Sequence, residues 1–395
     1  MKKKIFIVIS NLAGGGAQRV VSTISQELSS YYHLYLILHD GTKVNYPYQG
    51  EIVDLKTPVA KNVFKKLLNF FLRILRLISI KRNLRPHTVI SFMEGSNFIN
   101  LLSGKQGKRV VSVRNYKPKL AKSLIGKLNV FMIQHCYKKS DLIVAVSKGI
   151  KANLSGDFKF DEKKISVIYN PCNQSYIERK AAEEIDASYK TLFDQPVLIT
   201  VGSLMEQKGQ WHLIRAFKII KEAVPDMKLF IVGEGGLRVY LEQLAADLGL
   251  KDEVILAGYQ TNPFQFMSRS SIFALPSLFE GFPNVLLEAM GCSLPVIASD
   301  CTAGPREILA PEADYLFKTE QLEFGQYGML VPVCSGVFHS GDEPLSREEK
   351  ILADAVITLY NDNELKELYK KRSLERIKDF TSPKIVQEWV ELIEG

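Results

Sequence analysis

The sequence predicts an α/β protein built from two doubly wound domains, each a largely parallel sheet with helices on both faces. Three observations carry that reading. Short Val- and Ile-rich runs alternate with helix-like segments, the mark of parallel strands buried on both sides. The alternation stops at Asn170-Pro171 and begins again at PVLITVGSL. The chain has 395 residues, of which 46% are hydrophobic, and single cores stop growing near ~250–300 residues, so two cores are expected.

The first domain, residues 1–180, starts with the strand KKIFIVIS and a helix over 17–30. The strands HLYLILH and EIVDL follow, then a helix over 61–83, TVISF, RVVSVR, a helix over 120–138, DLIVAVS and KISVIYN. Residues 173–190 are polar, lack strand character and read as the linker.

The second domain, 190–380, runs PVLITVGSL, KLFIVGEG, EVILAGY, IFALPS, PVIASD and GMLVP with helices between. Helical segments over 345–378 and 382–394 close the chain, separated by Thr381-Ser382-Pro383, a stop followed by a fresh helix start. The last of them, within 381–395, is expected to cross back to the first domain. Ligands of such sheets bind at the C-terminal edges of the strands, so a cleft between the two edges is the expected site.

Bulk properties narrow the function. The five cysteines are odd in number and widely spaced without a C-x-x-C pair, which fits a reduced cytoplasmic protein and no zinc site. The apolar stretch after the N-terminal lysines is too short for a signal peptide. No run approaches the ~18 apolar residues of a membrane span.

Net charge is +8, but it is unevenly placed. Through Asn170 there are 29 Lys and Arg against 9 Asp and Glu, while the remainder has 22 against 34. This asymmetry favours an anionic partner for the first half. Within it, the 62–82 helix puts Lys66, Asn69, Arg73 and Arg76 on one stripe and Phe, Leu and Ile over the rest. A second basic helix over 117–139 carries Lys117, Lys119, Lys122, Lys127, Lys138 and Lys139. Helices of this kind bind anionic membrane surfaces, and no nucleic-acid recognition motif accompanies the charge. In an ordinary globular packing the 62–82 helix would lay its apolar face on the sheet and solvate its charges.

Three loops could carry chemistry. Gly14-Gly15-Gly16 leads into a helix, where backbone amides can approach a phosphate. Neither it nor Gly233-Glu234-Gly235 completes a dinucleotide fingerprint, because Arg19 and Arg238 stand where the third glycine belongs. Lys208 sits in the loop after PVLITVGSL, placed to hold a pyrophosphate as a point charge. In FEGFPNVLLEAMGC, Glu280 lies in a loop after IFALPS and Pro283 suits the first position of a helix running to Met290. Glu288 lies inside that helix among Val285, Leu286, Leu287, Ala289 and Met290, a setting that looks packed on nearly every side. A carboxylate there needs partners, and sugar hydroxyls can donate to it.

These stretches together resemble the retaining glycosyltransferases of family 4. E280-G-F-P-N-V-L-L-E288 matches the E-x7-E signature, and around it in order stand G-G-A-x-R-V, I-Y-N-P at 168–171, L-x-x-x-K-G at 204–209, I-V-G-E-G, L-A-G-Y at 256–259 and G-P-R-E-I-L at 304–309. The resemblance implies the GT-B architecture of two Rossmann-like domains facing across a cleft, with the nucleotide-sugar donor on the second and the acceptor on the first.

By position it implies that Glu288 binds the donor ribose, Lys208 the diphosphate, and Phe282, Pro283, Asn284 and Val285 the donor sugar and phosphate. It makes Glu280 and Lys208 the catalytic pair, with Glu280 at the transferred sugar's hydroxyls. Gly15-Gly16 would close over the diphosphate, and Gly258-Tyr259 would lie near the base.

The activity so implied is transfer from a UDP-hexose or UDP-N-acetylhexosamine to a lipid-linked or polysaccharide acceptor, in cell-surface glycan synthesis at the inner membrane face. Neither cofactor nor metal is expected, since the chain has no D-x-D. Three positions depart from the family pattern. Ser203 stands where an Arg often precedes the lysine, which makes Arg306 the expected compensating cation. Gln18 replaces a Glu. Arg114-Asn115 replaces a frequent His on the acceptor side. A non-catalytic sugar-nucleotide-binding or membrane scaffold protein, and a GT-B sugar-nucleotide epimerase, are the alternatives.

Overall fold

A computed structural model describes residues 2–60, 62–116 and 124–395, so Lys117, Lys119 and Lys122 of the expected second basic helix lie outside the described residues. The chain divides into two compact units, Met1–Pro171 with Phe380–Gly395, and Cys172–Asp379.

The first unit runs β1 (Lys4–Ile9), α1 (Gly16–Leu28), β2 (His33–Leu38), β3 (Glu51–Asp54), α2 (Val63–Leu84) and β4 (Thr88–Phe92). It continues with α3 (Glu94–Leu102), β5 (Lys108–Val113), α4 (Leu124–Cys136), β6 (Leu142–Ala145), α5 (Lys148–Gly156) and β7 (Ile165–Val167). Its strands order as β3-β2-β1-β4-β5-β6-β7, all parallel. Ile7 of β1 lies opposite both Leu36 and Ile90. The order reverses between β1 and β4, so the loops after these two strands diverge there.

Helix α3 was not anticipated. Ser96, Asn97 and Asn100 are buried along with Phe98, Ile99 and Leu101, so polar and apolar residues do not separate into faces that a periodicity search would find. Asn97 donates to Ser112 O at 3.1 Å and Asn100 to Val89 O at 3.1 Å, which is how those amides tolerate burial.

Helix α2 packs on the protein through part of its apolar surface, Phe70, Ile74, Leu77, Ile80 and Leu84 joining the core with Phe6, Val8 and Ile37, and through polar residues beside it. Its polar stripe faces the protein: Asn69 Nδ2 donates to Pro58 O at 2.9 Å and Arg73 to Thr57 O at 2.7 Å, while Arg76 donates to Leu55 O. The segment after β3 leaves the sheet, and its carbonyls must find donors elsewhere. The rest of its apolar surface faces out, with Phe64 76%, Leu67 56% and Phe71 53% exposed, and Val63, Leu68 and Leu75 exposed beside them.

The second unit runs α6 (Gln174–Ala181), α7 (Ala187–Lys190), β8 (Val197–Val201), α8 (Gln210–Ala223), β9 (Lys228–Val232), α9 (Arg238–Asp247), β10 (Val254–Gly258), α10 (Phe264–Met267) and β11 (Ile272–Leu275). Then come α11 (Asn284–Gly291), β12 (Val296–Ser299), α12 (Pro305–Leu309), β13 (Glu323–Phe324), β14 (Met329–Val331), α13 (Arg347–Asn361) and α14 (Asn363–Arg376). The sheet order is β10-β9-β8-β11-β12-β14-β13. Only β13 is antiparallel to its neighbour. Leu198 of β8 lies opposite Leu229 and Ile272, placing the reversal between β8 and β11.

The expected linker is not a linker. Residues 174–181 form α6, where Ile177 is buried and Tyr176 meets Phe264 edge-on at 5.9 Å. Asn262 Nδ2 donates to Lys180 O and to Glu183 Oε2, both at 2.8 Å. The boundary therefore falls after Pro171 rather than between 180 and 190, because two apolar side chains in a polar stretch suffice to dock it.

The final helix, α15 (Ser382–Glu394), belongs to the first unit. Its Ile385, Val386, Trp389 and Ile393 join the core under α1, and Trp389 sits 5.8 Å from Phe92. Glu394 accepts from Tyr32 at 2.9 Å and pairs with Lys3. All five cysteines are free thiols. Among the described residues, no helix is long and apolar enough to cross a membrane.

Candidate active site

In the second unit the loops after β8 and β11 leave adjacent strands at the reversal point, and they carry Lys208 and Glu280. Lys208 ends a 3₁₀ turn, Glu206–Lys208, and Gly209 follows at φ 60°. A Cβ on Gly209 would come 2.4 Å from Pro276 O, so only glycine lets the two loops cross this closely. Leu278 N donates to Gln207 O at 2.8 Å and Gln207 Nε2 to Phe279 O at 2.9 Å, stitching one loop to the other.

The crossing brings Lys208 Nζ 2.6 Å from Glu280 Oε1, with the side chains 18% and 7% exposed. Ser277 Oγ donates to the same oxygen at 2.8 Å. Oε2 receives a long contact from Gln207 at 3.5 Å, so it retains acceptor capacity for an incoming hydroxyl. The pair presents a cation and a carboxylate side by side, suited to a ligand that carries both phosphate and hydroxyl groups. Cys301, after β12, is buried beside it, and its thiol is pushed up by burial and then by the Glu280 charge.

Helix α11 starts one residue later than expected, at Asn284 with Pro283 as its cap residue, and no side chain caps it. Phe282 and Pro283 are buried; Gly304 packs on them at φ 92°, where a Cβ would lie 2.6 Å from Pro283 Cδ. The helix is not packed all round. Asn284, Val285, Glu288 and Cys292 form a half-buried strip running from its N-terminus. The Glu288 carboxylate lies in that strip near Cys172 and Cys292, whose thiols are pushed up to about 12 by burial and then by its charge.

Gly258 ends β10 and Tyr259 follows it, on the same strand edge but two strands from β8, about 10 Å away. Tyr259 is 65% exposed. Ser203 is exposed beside the Lys208 loop.

A family model described as "Glycosyl transferases group 1" matches residues 182–323, and one described as "Glycosyltransferase Family 4" matches 14–176. An uncharacterized glycosyltransferase of Methanocaldococcus jannaschii is 36% identical over 337 residues, covering 82% of this chain and 83% of its own length. The chain belongs to the family 4 glycosyltransferases.

A second relative, the N-acetylgalactosamine-N,N'-diacetylbacillosaminyl-diphospho-undecaprenol 4-alpha-N-acetylgalactosaminyltransferase of Campylobacter jejuni, is 30% identical over 404 residues, spanning the whole of both proteins. Among solved structures, sucrose-phosphate synthase of Thermosynechococcus elongatus superposes with a TM-score of 0.78 at 17% identity, covering 100% of this chain and 98% of that one. Anabaena HepE in complex with UDP and glucose gives 0.75 at 17% identity and 99% of each chain. These similarities show that this glycosyltransferase has the GT-B fold of two Rossmann-like units.

Several expectations for the transferase change. Arg306 cannot compensate for Ser203: it is 2% exposed and held by Asp300, at 2.7 Å, and by Glu323, at 2.7 Å. Its guanidinium is an internal brace between β12 and β13. Arg114 is likewise buried, donating to Asn170 Oδ1 at 2.5 Å over the ring of Phe92, and burial pushes it down to about 9. Asn115 beside it is half-buried. In the first unit, Gly15 caps α1 at φ 88° and Gly16 begins the helix, so this glycine loop follows β1 at the reversal point.

Among the described residues no three His, Cys, Asp or Glu side chains gather as a metal site would require. Sequence reasoning missed Ser277 and Gln207, which flank the ion pair. A hydroxyl three residues before the glutamate, in the same strand-end loop, was the available signal.

Proposed function

We propose that this glycosyltransferase moves a hexose or N-acetylhexosamine from a UDP-linked donor, with retention of anomeric configuration, to a lipid-linked or glycan acceptor in cell-surface glycan synthesis. The observation that carries the reading is the Lys208–Glu280 pair at the reversal point of the second sheet, where open α/β sheets bind their ligands. A departing UDP leaves negative charge on its diphosphate, and the sugar develops oxocarbenium character; stabilising both is an electrostatic task.

Lys208 supplies positive charge to the diphosphate, aided by the uncapped N-terminus of α11 with Phe282, Pro283, Asn284 and Val285 around it. Glu280 accepts hydrogen bonds from the transferred sugar and faces the reacting carbon. Glu288, in the half-buried strip of α11, accepts from the ribose hydroxyls. Gly258 and Tyr259 receive the base, at a distance that suits a nucleoside extending from the diphosphate. With this charge provided by side chain and helix, the reaction needs no metal. The loop after β5, with Asn115 and its brace Arg114, is assigned to the acceptor.

The lipid-linked character of the acceptor is supported by the diphospho-undecaprenol substrate in the name of the Campylobacter relative. It is supported independently by the outward apolar face of α2, which suits peripheral docking on the inner membrane surface. A panel of nucleotide sugars, assayed for nucleotide release with and without extracted lipid-linked acceptors, tests the proposal. UDP-sugar turnover that requires acceptor and disappears in Glu280→Ala is expected. Turnover without acceptor, or none with any donor while UDP still binds, would overturn it.

A further inference from the structure

The N-terminal edge of the first sheet, the edge opposite the acceptor loop, holds a cavity of about 650 Å³ that the transfer reaction does not use. Arg109 at the start of β5 lines it, whereas Arg114 follows the end of the same strand, roughly 17 Å away. Lys105, Lys138, Lys139 and Lys164 surround the opening, and Asp141 is its single carboxylate.

That carboxylate is already committed. Asp141 receives Arg109 N at 2.7 Å and the guanidinium through Nε and Nη2, both at 3.2 Å. Arg109, 8% exposed, is thereby fixed as a floor. The four lysines make no ion pair among the described residues. Behind this floor the buried Lys81 ammonium is pushed down to about 7, by burial and then by Arg109, with Asp141 opposing.

The surroundings also explain why the lysines converge. Lys105 stands on the turn that ends α3, Lys138 and Lys139 on the 3₁₀ turn that follows α4, and Lys164 just before β7. Three separate connections are thus brought to one opening by the parallel strand order β5-β6-β7. Lysine ammoniums are compact charges with three donors each, suited to the oxygens of a phosphate. Leu102, half-buried on the wall, offers apolar surface to the carbon side of an ester.

We propose that this cavity is a second anion site, which binds the phosphate group of a phosphate ester or diphosphate away from the transfer chemistry. The phosphate can come from a soluble compound or from an anionic lipid headgroup, and two arms of one experiment separate these.

In the first arm, inorganic pyrophosphate is titrated into the full chain carrying Lys208→Ala, so that the expected donor site contributes little. In the second, the same chain is sedimented with phosphatidylcholine vesicles with and without phosphatidylglycerol. Each arm compares the pocket variant Lys105→Ala/Lys138→Ala/Lys164→Ala with a charge-matched control, Lys43→Ala/Lys56→Ala/Lys159→Ala. All six lysines are exposed, and thermal melting checks that both variants fold.

At least tenfold weaker binding in the pocket variant, with less than twofold in the control, is expected in one arm or both. Loss in the pyrophosphate arm identifies a soluble phosphate, and loss in the phosphatidylglycerol arm a lipid headgroup. No pocket-specific loss in either arm, or equal loss in the control, overturns the site.

Discussion

Lys208 Nζ and Glu280 Oε1 lie 2.6 Å apart although 72 residues separate them in sequence. Breaking a largely buried pair leaves an uncompensated charge, at a cost of about 3–5 kcal/mol. Lys208→Met and Glu280→Gln are each expected to lower kcat about 10²–10³-fold, as loss of one transition-state electrostatic contact does. The double variant should lose little more than the worse single one, because neither group acts without the other. Steady-state kinetics on all three variants measures this; fully multiplicative losses would separate the two roles.

Gly209 is the crossing point that makes the pair. Gly209→Ala places a Cβ 2.4 Å from Pro276 O in a left-handed backbone conformation. A destabilisation of about 1–3 kcal/mol is expected. Activity should fall further than stability, since separating the loops separates Lys208 from Glu280. Ser277→Ala, which removes one donor to Glu280 Oε1, should cost only about 0.5–1.5 kcal/mol of interaction and leave the melting temperature nearly unchanged. Melting curves beside kcat for the two variants distinguish a broken scaffold from a lost contact.

Glu349 anchors a buried triad, accepting from His212 Nδ1 at 2.7 Å and Arg215 Nε at 2.9 Å, all three without solvent exposure. Arg215 also donates to Ser340 O and Pro344 O, so the triad ties α8 to the segment that leads into α13. Burial alone would raise the Glu349 carboxyl, but the bonds from His212 and Arg215 outweigh it and hold it below its ordinary 4.5. A carboxyl depressed in the fold contributes stability that is complete above the unfolded value and lost as pH falls through the folded one. Glu349→Gln should therefore cost about 3–5 kcal/mol near neutrality, with the gap to wild type narrowing below pH ~4.5. Melting temperatures from pH 7 to 3 provide the check.

The exposed face of α2 predicts two opposite phenotypes on one helix. Phe64→Ser, Leu67→Ser and Phe71→Ser remove side chains already in water, so the melting temperature should hold. If that face enters lipid, each loses part of the ~1.5–3 kcal/mol of a buried apolar side chain, and the triple variant should partition at least tenfold less onto phosphatidylglycerol vesicles. Arg73→Ala, by contrast, strips Thr57 of two donors and should lower stability. Unchanged vesicle binding in the triple variant would remove α2 from the membrane reading.

The sequence made both sheets legible because parallel strands buried on two faces are written as unbroken Val/Ile runs. Lys208 and Glu280 were legible as individuals, from the motifs around them. Their contact was not, because it depends on β8 and β11 being neighbours, and strand order is set by tertiary packing rather than by local pattern. The two-sided packing of α2 escaped for a related reason: periodicity identifies the faces but not how much of each meets the protein, and here carbonyls at 55–58 hold Asn69, Arg73 and Arg76 while Phe70, Ile74, Leu77, Ile80 and Leu84 pack on the core. Arg306 was misjudged because Asp300 and Glu323 converge on it only once β12 and the β13 turn have formed. Residues 174–181 show composition failing at a domain boundary, where Tyr176 and Ile177 outweighed their polar neighbours.

Lys81, on the inner side of α2, gives the fold a pH dependence on the alkaline side. Its ammonium is fully buried and donates to Asn100 O and Oδ1, both at 3.0 Å. Burial, then the charge of Arg109, pushes it from 10.5 down to about 7 against the opposing pull of Asp141. Below that value both folded and unfolded chains hold the proton, and the cost of the buried charge is fully present. Between about 7 and 10.5 the unfolded chain keeps a proton that the folded chain has released, so stability rises with pH at up to about 1.4 kcal/mol per unit. Lys81→Met removes the charge at every pH while leaving Asn100 Oδ1 without the Lys81 donor, a fixed cost of about 1–3 kcal/mol. The variant should therefore compare best with wild type at pH 6 and progressively worse toward pH 9. Denaturant melts of both proteins at the two pH values measure it, and a difference that stays constant would mean that Lys81 remains charged in the fold.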